Sequence, residues 1–196
     1  MVREVTAAIE IHAPPARVWE ALTDFPHYPR WNPFILAAEG RLTVGAKIRM
    51  RIRLHDGFRI TIRPTILKVD PEIELCWLGR LLIPGLVDGE HHLEIVPMGV
   101  GSVQLLQREV YRGLLVPVLW RRLQRDAQNG FEAMNRALKR LLEQAGLPSS
   151  ELTFGSPPGT RPGNRKGLKR MGRKVEYYCT SFYPCIFTMS IGKNNL

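Results

Sequence analysis

The chain has 196 residues, 44% hydrophobic and 23% charged, with a formal net charge of +10 from 28 Lys+Arg and 18 Asp+Glu. That composition is globular, the length suits one domain with a real core plus an appendage, and no apolar run reaches the roughly 18 residues that a membrane span needs. The charge is unevenly spread: residues 1–147 hold 20 − 16 = +4 and the last 49 hold 8 − 2 = +6, so a nucleic-acid surface is not expected of the main body.

The first element is a strand. Val5, Ala7, Ile9 and Ile11 alternate with Glu4, Thr6, Ala8 and Glu10, the period of two of a half-buried strand. His12-Ala13-Pro14-Pro15 ends it, and Val18, Trp19 and Leu22 recur at helical spacing, predicting a short helix from about Pro15 to Thr23. The next stretch, Asp24 to Pro33, has three prolines, which forbid a long helix. Its aromatic residues Phe25, Tyr28, Trp31 and the neighbouring Phe34 predict a single helical turn laid over a core.

From Ala46 the alternation is clean, with Ile48, Met50, Ile52 and Leu54 on one face and Lys47, Arg49, Arg51 and Arg53 on the other. His55-Asp56-Gly57 signals a hairpin, after which Phe58, Ile60 and Ile62 continue the apolar face between Arg59, Thr61 and Arg63. Val69-Asp70-Pro71-Glu72 turns the chain into Ile73, Leu75 and Trp77. Two further strands follow, one from Asp88 to Val96 and one from Val103 to Arg112, joined by a turn over Met98 to Gly101. From Pro117 to about Ala145, Leu119, Leu123, Ala127, Phe131, Met134, Leu138, Leu141 and Leu142 mark one long amphipathic helix, stopped by Gly146 and Pro148. The class is therefore α+β: a curved antiparallel meander of about six to seven strands, two short helices after the first strand, and one long helix that closes the concave face.

Several motifs carry a resemblance. Ile9 to Trp19, Leu22-Thr23-Asp24-Phe25, Tyr28 to Phe34, Gly89-Glu90-His91-His92, Gly113 to Pro117 and Gly130 to Asn135 resemble bacterial and fungal proteins of the START-like (SRPBCC, polyketide cyclase/dehydrase and lipid transport) superfamily, over residues 3–145. The resemblance implies a helix-grip fold, also called START/Bet v 1-like, with a cavity between sheet and long helix and a mouth near the short helices. It divides the chain into a ligand-binding domain at 1–146 and a basic tail at 147–196, where a Gly/Pro/Ser-rich linker and six basic residues between Arg165 and Lys174 predict disorder.

A turn at Met98 to Gly101 places His91 opposite Glu109, Leu93 opposite Gln107 and Ile95 opposite Leu105. Since Leu93 and Ile95 belong to the apolar face, His91, Gln107 and Glu109 are expected to point inward, where polar groups must find partners or a ligand. Slipping the pairing by one residue would turn all three outward. Trp31 and Phe34 are expected at the cavity mouth, with Met50, Ile52, Ile62, Trp77, Leu93, Phe131 and Met134 on its walls. The first expectation is a binder, or transporter, of a small hydrophobic lipid or polyketide-like molecule. Runners-up are a cyclase or dehydratase that uses His91 and Glu109 for acid–base chemistry, and an interaction module like the chaperone-activator branch.

No nucleophile triad, phosphate loop or metal spacing is evident, and Cys76, Cys179 and Cys185 form neither a disulfide framework nor a zinc site, so no metal or cofactor is expected. The basic outer face of Lys47, Arg49, Arg51, Arg53, Arg59 and Arg63 is expected to be a solvated surface, with acidic membrane headgroups or an acidic partner as the minor reading. Without a secretory signal at Met1 to Thr6, a cytoplasmic monomer or homodimer is expected.

Overall fold

The structure, a computed structural model, describes residues 2–81 and 83–144; the basic tail proposed for 147–196 lies outside them. Among the described residues there are eight strands: β1 (Val2–Ile11), β2 (Ile35–Glu39), β3 (Arg49–Arg53), β4 (Arg59–Ile62), β5 (Thr65–Asp70), β6 (Glu74–Leu81), β7 (Val87–Gly99) and β8 (Ser102–Arg112). Three α-helices accompany them: α1 (Pro15–Thr23), α2 (Tyr28–Trp31) and α3 (Val116–Gln144), with a 3-10 turn at Phe25–His27 before α2. This is the helix-grip arrangement, a curved antiparallel sheet against a long C-terminal helix.

Two strands exceed what alternation reveals. β2 has no period of two, because Leu36 and Ala37 are both half-buried within Ile35-Leu36-Ala37-Ala38 and the strand is bulged against β3. β5 is separated from β4 only by Arg63-Pro64; it contains a bulge opposite β6, which scrambles its apolar spacing. One sheet has the order β1-β8-β7-β6-β5 and the other β2-β3-β4. A bridge between Lys47 and Thr65 and a backbone bond from Ile48 N to Pro64 O lead from the first to the second.

Strand parity sorts the faces. Ile48 and Met50 are buried whereas Lys47, Arg49, Arg51, Arg53, Arg59 and Arg63 are exposed, so the basic row lies on the outer face of the sheet. Within α3 the buried positions Ala127, Phe131, Met134, Leu138 and Leu142 form the stripe expected of a helix packed on one side. α1, the 3-10 turn and α2 lie against this layer through Val18, Leu22, Phe25 and Tyr28, all buried. The Tyr28 hydroxyl donates to the Leu22 carbonyl at 2.6 Å, which satisfies a phenol that burial would otherwise leave unpaired.

Candidate functional site

β7 and β8 pair in the register that the Met98 to Gly101 turn requires: His91 faces Glu109, Leu93 faces Gln107 and Ile95 faces Leu105, and β6 adds Trp77 opposite His91. All of these side chains share the concave face. They do not share one environment.

Beneath the C-terminal half of α3 the concave face is filled. The His91 ring stacks on Trp77 with centroids 4.7 Å apart and planes at 10°, and receives the edge of Phe131 at 4.7 Å. Its Nδ1 is 3.6 Å from Glu109 Oε2, too long for a strong hydrogen bond, and its Nε2 has no hydrogen-bond partner among the described residues. Gln107 Nε2 donates to Asn135 Oδ1 at 2.8 Å, and Asn135 Nδ2 donates to the Ala7 carbonyl at 3.3 Å. This chain of amides clamps α3 to β8 and β1. Asn135 was legible as the one polar residue four positions after Phe131 on the apolar stripe, but that stripe alone does not name its partner.

Under the first turns of α3 the same face is hollow. A cavity of about 360 Å³ lies between Leu119, Leu123 and Ala127 of α3, Leu54, Ile60 and Ile62 of the β3/β4 hairpin, and Gly79, Val87, Gly89, Glu109 and Tyr111 of the main sheet, with Phe34 and Ile52 completing its apolar wall. Two facing glycines explain the hollow, since Gly79 pairs with Gly89 across β6 and β7 and neither contributes a side chain. A Cβ on Gly89 would come within 2.3 Å of Glu109 Oε1, so the carboxylate occupies the space that the missing side chain leaves.

The polar groups of this cavity are few. Glu109 Oε2 accepts from the Tyr111 hydroxyl at 2.9 Å. Burial, together with the neighbouring Glu109 carboxylate, pushes that hydroxyl well above the ordinary phenol range, so it is a proton donor at neutral pH. Tyr111 follows Glu109 by two residues and therefore shares its face, which is the sequence signal that reasoning from His91 alone passes over. Arg80, Arg122 and Asp126 also line the cavity. Arg122 bonds Asp56 of the hairpin at 3.0 Å, while Asp126 Oδ1 accepts the His55 amide at 3.1 Å.

Of the residues expected in the site, Phe34, Ile52, Ile62 and Glu109 line the cavity. Met50, Trp77, His91, Leu93, Gln107, Phe131 and Met134 are buried beside it in the packed layer. Phe34 reaches in because Gly130 makes room; a Cβ there would lie 2.3 Å from the Phe34 ring, and Phe34 in turn meets Phe131 edge to face at 5.8 Å. Trp31 is not at this mouth. It lines a separate hollow with Arg17 and Ala21 of α1 and Leu141 and Leu142 near the end of α3. The expected mouth at the short helices is corrected with it: the cavity is framed instead by the β3/β4 hairpin, the β6/β7 ends and the start of α3, because α1 and α2 cover the filled half.

On the convex face, Glu74, Cys76 and His92 bring ligand-type atoms within 4.8 Å of one another. Both ring nitrogens of His92 face carboxylates, Glu74 at 2.6 Å and Glu90 at 3.1 Å. Burial, with Glu90 and Glu74 nearby, pushes the Cys76 thiol up to about 12, which keeps it protonated and unreactive at neutral pH.

A curved antiparallel sheet, a gripping C-terminal helix and an apolar cavity between them define the helix-grip class of folds. The chain belongs to the family described as "Polyketide cyclase / dehydrase and lipid transport", which it matches over residues 2–143. No curated protein matches the sequence. Among solved structures it is similar to the Zhui aromatase/cyclase from Streptomyces sp. R1128, with 16% identity, TM-score 0.62, 74% of this chain and 95% of that one covered. A START superfamily protein from Mycobacterium smegmatis gives 20% identity and TM-score 0.58 over 72% and 98% of the two chains. The di-domain aromatase/cyclase StfQ from the steffimycin biosynthetic pathway gives 16% identity and TM-score 0.62 over 75% of this chain, which spans about half (53%) of that chain's length. At these identities the likeness is one of fold.

Proposed function

We propose that this protein binds a compact hydrophobic molecule in the cavity under the first turns of α3. The observation that carries the reading is the pairing of an apolar hollow of about 360 Å³ with a Glu109–Tyr111 pair in its wall. The volume lies toward the low end of small-molecule pockets, about 300 to 1,000 Å³, and favours a one- or two-ring molecule or a short acyl chain over a two-chain lipid. Among the described residues Glu109 has a single hydrogen-bonded donor, Tyr111, so it suits a ligand that offers a hydroxyl or amine; such a carboxylate pays a desolvation cost that a ligand donor offsets.

The test uses the full chain, the bicyclic phenol 2-naphthol as probe, and Gly79→Val. A Cβ at Gly79 meets only Gly89 O and Ile62 Cδ1, both at 3.7 Å, so a β-carbon fits there in ordinary contact, and because Gly79 lines the hollow the methyl groups of valine are expected to take up part of it. The expected result is saturable one-to-one binding by calorimetry, at least tenfold weaker in Gly79→Val at unchanged melting temperature. Equal affinity in the two proteins would reject the cavity as the site.

A second reading, a cyclase or dehydratase, is favoured by the same pair, because a carboxylate beside a protonated phenol offers a base and an acid at one substrate. In it Glu109 takes a proton next to a carbonyl, Tyr111 donates to the oxygen, and His91 stands behind Glu109. Glu109→Gln separates the readings: an enzyme keeps binding and loses at least a hundredfold in turnover, whereas a carrier changes only in affinity.

A further inference from the structure

Two connecting segments that frame the cavity share an unusual composition. The β6/β7 connection reads Leu81-Leu82-Ile83-Pro84-Gly85-Leu86, and the segment that enters α3 reads Gly113-Leu114-Leu115-Val116-Pro117-Val118. Backbone bonds from Leu114 N to Gly85 O at 2.9 Å and from Leu115 N to Leu86 O at 3.0 Å tie the two together. They do not turn all of their apolar side chains inward: Ile83 is 62% exposed, Leu114 76% and Val118 80%. Across the cavity, the tip of the β3/β4 hairpin presents Phe58 at 69% exposure. Each is within two residues of a cavity-lining residue or on a segment bonded to one, so the exposed apolar groups crown the cavity's frame.

Large apolar side chains gathered at one end of a molecule mark a contact surface. Their exposure decides its kind. Side chains this far out of the surface stand proud on connecting loops and on the first turn of α3, and they are four residues where a standard protein interface draws about 20 to 30 from each side. Protruding groups of this sort suit insertion into a fluid apolar medium. Charge agrees: Arg121 and Arg125, both exposed on the first turns of α3, have no carboxylate within ion-pair distance among the described residues, and Arg53 faces Arg59 beside Phe58 at the hairpin tip.

We propose that this end of the molecule docks on an anionic lipid bilayer, with Ile83, Leu114, Val118 and Phe58 entering the headgroup region and Arg121, Arg125 and Arg59 meeting lipid phosphates or carboxylates, so that the cavity opens toward the membrane. No described helix is long and apolar enough to cross a membrane, and the contact is peripheral. The proposal rests on the cavity reading for its purpose, the exchange of a hydrophobic ligand with the bilayer, and not for its geometry.

The test is co-sedimentation of the full chain with vesicles of 70% phosphatidylcholine and 30% phosphatidylserine, compared with Ile83→Asp/Leu114→Asp and with Arg121→Glu/Arg125→Glu. Residues 148–196 contribute 8 − 2 = +6 of charge to every one of these proteins, so differences between them report the crown alone. The apolar-to-acidic pair is expected to lose at least tenfold in partitioning with 2-naphthol affinity unchanged. The arginine pair is expected to lose at least about twenty-five-fold on anionic vesicles and nothing on pure phosphatidylcholine, since each of the two basic residues near such a surface contributes about a factor of five. Wild-type partitioning by the Ile83/Leu114 variant, or no wild-type binding while 2-naphthol still binds, would overturn docking and leave the cavity reading intact. Concentration-dependent self-association that the Ile83/Leu114 variant abolishes, without vesicle binding, would assign the crown to a second copy. Vesicle binding without 2-naphthol binding would sustain docking and count against the cavity reading alone.

Discussion

The two halves of α3 cover the same sheet with opposite results. From Phe131 onward the helix meets Trp77, His91, Leu93 and Gln107 and leaves a filled layer; before Ala127 it stands over Gly79, Gly89 and Glu109 and leaves a cavity. Neither the helix pattern nor the strand alternation changes between the halves. What changes is side-chain volume on the neighbouring strands β6 and β7, Trp77 facing His91 in one layer and Gly79 facing Gly89 in the next. A hollow in this fold is therefore made by two facing glycines, and a close-packed interior elsewhere is the default.

The largest expected effect tests that contrast. Phe131 is completely buried and touches both Phe34 and His91, so Phe131→Ala is expected to destabilise by about 3 to 5 kcal/mol in urea unfolding. Leu123 lines the cavity and is already without neighbours on one side. Leu123→Ala is expected to cost about 1 kcal/mol, because a residue beside a void has fewer contacts to lose. Equal losses would mean that the hollow half is filled or collapsed in solution.

The register is legible in the sequence because a short turn fixes it: Met98 to Gly101 sets His91 against Glu109 across one hairpin. The inward direction of Gln107 and Glu109 followed from that pairing. The end of the cavity was not legible, since aromatic content says that Trp31 and Phe34 are covered without saying by what. Phe34 reaches the cavity because Gly130 admits its ring, and Trp31 packs near Leu141 and Leu142; both depend on which helix segment a loop lies against. β2 and β5 were hidden by bulges that break the period of two.

A middle-sized effect is expected of the amide clamp in the filled half. Gln107→Leu keeps the volume but leaves Asn135 Oδ1 buried without its 2.8 Å donor. The expected cost is about 1 to 3 kcal/mol, and Gln107→Leu/Asn135→Leu should recover part of it, because removing both polar partners avoids the unpaired group. If the single change is neutral, the clamp does not hold α3 to the sheet, and the filled half owes its closure to Phe131 and its apolar neighbours alone.

The smallest effect concerns the sheet's other face, which treats polar groups differently from the concave one. Among the described residues the buried side-chain atoms without partners, on Asn32, His91 and Gln107, lie away from this face, whereas Lys68, Glu74, His92, Glu90 and Arg112 are linked outside in a continuous run of polar contacts. Burial alone would raise the Glu74 carboxyl, but hydrogen bonds from His92 and Lys68 hold it below its ordinary value. Its stabilisation is then complete above the unfolded carboxyl value of about 4.3 and is lost as the pH falls through the lower folded value. Glu74→Gln removes this proton linkage, so its stability should fall less steeply than that of the wild type between pH 5 and pH 2 in urea unfolding. Parallel acid limbs would show that the network titrates alike folded and unfolded, and that the convex face contributes solubility in place of stability.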